Sequence, residues 1–119
     1  LVPQARRLGL DLARVLEAHR AAIGEQTSGQ RSFEREYEAF RTGAGGHPAF
    51  DALGERLQAR AALLAQVKDA CEEINRDRDP AGWSRLGHNI ARLTGIEAEE
   101  AADRTDLRAT AARVAEQGG

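Results

Sequence analysis

FDALGERLQARAALLAQVKDACEEI, residues 50–74, decides the fold. Phe50, Leu53, Leu57, Leu64, Val67, Cys71 and Ile74 recur at alternating three- and four-residue steps, with polar Arg60 on the remaining position. That spacing is the a/d seam of an α-helix packed along its whole length. Glu55, Arg56, Lys68, Asp69, Glu72 and Glu73 fall between the seam positions and read as a solvated face. His47-Pro48 opens the helix, since proline suits a first turn whose amide has no intrahelical partner. Asp77-Arg78-Asp79-Pro80 stops it and restarts the chain, which predicts a helix over 48–77.

The flanking segments repeat the pattern. Upstream, Leu8, Leu12, Val15, Leu16, His19 and Ile23 share one helical face, so a first helix is predicted from Pro3 to Gly24. The polar run 24–30, with glycine at both Gly24 and Gly29, reads as a turn or a kinked continuation of the helix. Ser32 then caps a second helix carrying Phe33, Tyr37 and Phe40, which ends at Gly43-Ala44-Gly45-Gly46. Those aromatics are expected to plug one end of the core. Downstream, Trp83, Leu86, Ile90 and Leu93 predict a helix over 80–93. Thr94-Gly95-Ile96-Glu97 combines a helix-ending glycine with a capping box, so a further helix is predicted to start near Ile96 and reach Val114. Its face would be Ala98, Ala101, Ala102, Leu107, Ala111 and Val114, and its small side chains make it the most weakly held. The expectation is an all-α antiparallel bundle of four to five helices, one domain over 1–119, joined by short Gly/Pro turns.

Composition narrows the function classes. A chain of 119 residues holds one core, with roughly two-thirds of the unfolded surface buried on folding. One cysteine excludes an internal disulfide framework. Seventeen basic against nineteen acidic residues give a net charge of −2, which argues against direct nucleic-acid binding. The longest apolar run, Ala61 to Ala65, is far below the ~18 to 20 residues of a membrane span, and the chain reads as soluble and cytoplasmic, without membrane insertion. The acidic excess is C-terminal, where Glu97, Glu99 and Glu100 would favour the positive end of the last helix. Arginine heavily outnumbers Lys68, the single lysine, and methionine is absent, a bias expected of a GC-rich bacterial genome. Starting at Leu1-Val2-Pro3 and ending in Gly118-Gly119, the chain is expected to be a domain of a larger protein.

Motifs for catalysis, metal and cofactors are not met. His19, His47 and His88 stand on separate predicted elements without metal-ligand spacing. Cys71 lies on the seam, where a thiol is a small hydrophobe. Ser28, Ser32 and Ser84 lack a nucleophile elbow, and Gly43-Ala44-Gly45 is followed by Pro48 where a dinucleotide loop needs glycine. Glu72-Glu73 and Glu99-Glu100 point about 100° apart on a helix, so neither pair shares a proton. No catalytic residue, cofactor or metal site is assigned, and the chain reads as a non-enzymatic protein-interaction module.

Two resemblances give that reading a direction. Leu86-Gly87-His88-Asn89-Ile90-Ala91-Arg92 resembles the phosphoryl-accepting His-x-x-Lys-Gly stretch of histidine phosphotransfer domains, with Ala91 where the lysine belongs and Arg92 where the glycine belongs. It implies a signalling role for His88. Arg78-Asp79-Pro80 through Ala91-Arg92-Leu93-Thr94-Gly95-Ile96, with the alanine- and charge-rich tail, resembles the later half of the BID domain, the intracellular delivery module of type IV secretion effectors and conjugative relaxases. That resemblance implies a helical translocation signal without catalysis, recognised by a secretion coupling protein and translocated with its parent. A third option is a coiled-coil dimerisation module whose 48–74 seam faces a twin.

Overall fold

The computed structural model describes residues 2–118, with side chains described from Leu12 onward. Three α-helices form an antiparallel bundle: α1, Val2–Gly43; α2, Asp51–Asp77; and α3, Gly82–Gly118. A single 3-10 turn, Pro48–Phe50, leads into α2. The bundle is a rod of 70 × 18 × 17 Å. Among the described residues the chain is all-α as expected, but with three helices, because two predicted breaks are absent.

The first absent break is 24–30, where of the two expected alternatives, turn or continuation, the chain takes the continuation and prolongs α1. Gln26 and Gln30 are buried and extend the three/four series from Ile23 to Phe33, so a run that looked like a polar turn is core-facing helix. Gln30 Nε2 donates to the Leu57 carbonyl oxygen at 2.9 Å, and the Thr27 hydroxyl donates to the Ile23 carbonyl oxygen at 2.8 Å. The first bond ties α1 to α2, and the second closes within α1. Ser32 is accordingly an exposed mid-helix residue and caps nothing. The second absent break is Thr94-Gly95. Leu93 and Ile96 are both buried at heptad spacing, and Thr94 donates back to the Ile90 carbonyl oxygen at 3.1 Å, the bond of a helix-interior threonine.

The real turns are chemically explicit. At the end of α1 the Gly46 amide donates to Arg41 and the Gly45 amide to Thr42, a Schellman pair. Gly45 and Gly46 take φ of 67° and 74°, conformations that favour glycine. His47 Nδ1 then accepts from the Ala49 amide at 3.0 Å, and Pro48 takes the first helical position. Between α2 and α3, Arg78 closes the helix in the left-handed conformation, and a Cβ on buried Gly82 would lie 3.4 Å from the Leu12 side chain.

The apolar core comes in two clusters. One joins Leu12, Leu16 and Ile23 with Leu64, Val67, Cys71, Ile74, Leu86, Leu93 and Ile96. The other holds Phe33, Tyr37, Phe50, Leu53, Leu57 and Leu107 at the end where α1 meets α2. The Tyr37 hydroxyl donates to the Phe50 carbonyl oxygen at 2.8 Å, and their rings meet edge to face. Phe40, expected in this plug, is 38% exposed.

The face of α3 also departs from expectation. Ile90 lies at the flank and Trp83 is half-buried, while Asn89 occupies the seam position beside Leu86 and Leu93. Farther along, Leu107 is buried as expected with Ala111 and Val114 packed against its cluster, but Ala98, Ala101 and Ala102 are exposed, and Ile96, Asp103 and Thr110 are buried in their place. Leu8, expected on the first helical face, lies outside the residues whose side chains are described.

Candidate functional site

Polar side chains on heptad positions interrupt the apolar seams, and these are the sites where chemistry could sit. The first such layer joins all three helices. His19 of α1 is 4% exposed and its Nε2 lies 2.9 Å from Asn89 Nδ2 of α3. The same Nδ2 donates to the Val67 carbonyl oxygen of α2 at 2.8 Å. One amide nitrogen therefore uses both hydrogens, and His19 must present an unprotonated Nε2 as acceptor. Burial pushes the His19 pKa down, in agreement with that neutral tautomer.

The second layer separates the two apolar clusters. Arg60 of α2 pairs with Asp103 of α3 inside the core, and its Nη2 reaches the Glu99 carbonyl oxygen at 3.5 Å. Arg56 clamps the outside of the pair, with Nε 3.0 Å from Asp103 Oδ1 and Nη2 2.6 Å from Asp106 Oδ2. Desolvation lowers the Arg60 pKa, against the raising influence of Glu99 and Glu100. Gln26 and Gln30 of α1 are buried at neighbouring positions. On the far side, Arg104 pairs with Glu36 at 3.2 Å and stands 4.8 Å above the Phe33 ring. These are ties between helices: every bond joins elements whose relative height it specifies.

The residues weighed for chemistry in the sequence do not converge. His19 is in the core, His47 caps the 3-10 turn, and His88 is exposed on α3. No group of three or more His, Cys, Asp or Glu able to hold a metal exists among the described residues. Cys71 is 1% exposed, and burial raises its thiol pKa, with Glu72 adding and Arg20 opposing, so it is held as the inert thiol. His88 shares a shallow groove of about 360 Å³ with Ser84, Arg85 and Arg92. Both neighbouring cations are engaged elsewhere, Arg85 with Asp79 at 3.4 Å and Arg92 with Gln66 at 3.0 Å.

Asn89, Asp103, Gln26, Gln30 and Thr110 were not singled out from the sequence. Their signal was present: each prolongs an apolar three/four series by one polar step. Among the described residues, no helix is long and apolar enough to cross a membrane. Comparison with family models, with curated proteins and with solved structures finds no match for this chain.

Proposed function

We propose that this domain is a non-enzymatic protein-interaction module of a larger bacterial protein, acting as a translocation signal for type IV secretion or conjugation. The observation that supports this reading is how the rod distributes its side chains. His19, Cys71, Arg60 and Asp103, the groups best suited to chemistry, are consumed by packing and by one another. What remains outside is a 70 Å surface of charged helix faces, a shape suited to recognition along its length. The resemblance of residues 78–96 to a delivery module supports a coupling protein of the secretion apparatus as the partner. On this reading the parent protein works in the cytoplasm until it is translocated.

The test is a transfer assay in which the domain is fused to a split reporter and donors carrying a conjugation apparatus are mixed with recipients. Transfer above the unfused reporter is expected, with loss when exposed Arg108 and Arg113 are reversed to glutamate. Transfer equal to the unfused reporter rejects the proposal.

His88 supports a second reading, as a phosphoryl acceptor, because it is exposed in a groove between α2 and α3. Acid-labile labelling by an acyl-phosphate donor that disappears in His88→Ala supports it. Labelling that persists in that variant rejects it.

A further inference from the structure

The long faces of the bundle use their charges differently. Ion pairs cross the α2–α3 face at Arg56, Arg60 and Arg85, and the α1–α3 face at Arg104. Among the described residues none joins α1 to α2.

That face is instead divided by sign. A groove of about 360 Å³ gathers Arg20, Arg31 and Lys68 against the one carboxylate of Glu72. A second groove, of about 720 Å³, gathers Glu34, Glu38, Asp51 and Glu55 against Arg41. Arg20, Arg31 and Lys68 are all exposed, and none has a carboxylate partner among the described residues. The helix rise places the two groups of charge roughly 16 Å apart along α1. Small residues line both grooves, Gly24 in the basic one and Ala61 in the acidic one, and a Cβ added at Gly24 would meet nothing within 4 Å. Another helix can approach closely there.

We infer that the α1–α2 face docks a second copy of this chain, turned end for end about a two-fold axis between the two grooves. That operation lays the cations of each copy on the carboxylates of the other, so one patch pair is satisfied twice. A uniformly acidic partner fits the basic groove and is repelled by its neighbour, and a basic partner meets the reverse conflict. Only a partner with the same two signs in reversed order matches the whole face, and the chain itself is one. This interface differs from a dimer through the 48–74 seam, which is spent inside the bundle: Leu53, Leu57, Leu64 and Val67 are buried against α1 and α3. The inference is independent of the proposed translocation role. A transferred monomer rejects only the dimer, and an untransferred dimer rejects only the role.

The experiment is sedimentation equilibrium of the whole chain and of two charge-reversed variants, Arg31→Glu/Lys68→Glu and Glu38→Arg/Glu55→Arg. All four positions are solvent-exposed or at the groove rim, and circular dichroism establishes that each variant is helical. The wild type is expected to dimerise at about 50 mM salt and to weaken at least ~10-fold by about 500 mM, as exposed pairs are screened. Each variant alone is expected to be monomeric, because the net charges of its two patches then have the same sign. An equimolar mixture of the two is expected to recover a heterodimer. A wild type that stays monomeric at low salt, variants that self-associate like the wild type, or two helical variants that fail to pair overturn the inference.

Discussion

Arg60 of α2 and Asp103 of α3 form an ion pair within the core, their side chains 2% and 10% exposed. Two charges withdrawn from water cost several kcal/mol, and their attraction offsets this only while both are present. Removing one partner should therefore be worse than removing both. Asp103→Ala is expected to destabilise the fold by about 3 to 5 kcal/mol, whereas Arg60→Leu/Asp103→Leu should recover most of that loss. Urea unfolding of Arg60→Leu, Asp103→Leu and the double closes the cycle. Equal, additive losses would show that the two side chains do not depend on each other.

His19 supplies a pH dependence. Burial holds its pKa below the ordinary histidine value of about 6.5, so the unfolded chain binds a proton that the folded chain refuses. The stability tied to neutral His19 is full above about pH 6.5 and is lost as pH falls from there through the lower folded value. Protonation would also place an N–H against the Asn89 Nδ2 donor. Denaturation midpoints measured between pH 5 and 8 should fall on the acid side, and His19→Gln, which accepts but does not titrate, should flatten that part of the curve. An unchanged slope in His19→Gln would assign the acid loss to other groups.

Glycines distinguish the continuous helices from broken ones. A Cβ at Gly24 or Gly95 meets no atom within 4 Å, and both sit inside helices. Gly24→Ala and Gly95→Ala are expected to raise stability by up to about 1 kcal/mol each, from helix propensity and reduced unfolded-state freedom. A Cβ at Gly54 would overlap the Tyr37 hydroxyl, which is bonded to the Phe50 carbonyl oxygen. Gly54→Ala should cost about 1 to 3 kcal/mol. Thermal unfolding reads all three, and destabilisation by Gly24→Ala would restore a turn at 24–30.

The long-helix seam makes a matched pair of neighbours. Leu64 is 4% exposed and Leu63 is 39% exposed. Leu64→Ala is expected to cost about 2 to 5 kcal/mol through lost burial and a residual cavity. Leu63→Ala should stay within about 1 kcal/mol. Similar denaturation midpoints for the two variants would mean that the seam has been assigned to the wrong face.

Local pattern alone determined much of this protein. The a/d series of 50–74, the Gly45-Gly46 stop and the Pro48 start all rest on interactions between residues close in sequence or on spacing along one helix. The same logic placed Cys71 in the core and left Glu55, Arg56, Lys68 and Glu73 in water. Tertiary structure decided the rest. Gln30 can face the core because the Leu57 carbonyl of another helix accepts its proton, Asn89 because His19 and Val67 do, and Arg60 because Asp103 lies opposite. Without those distant partners, polar residues at 24–30 and 94–97 carry the signature of turns, which is why one bundle of three long helices reads locally as four or five short ones. The partners sit tens of residues away along the chain, and a buried polar group is favourable only when its partner is already in place.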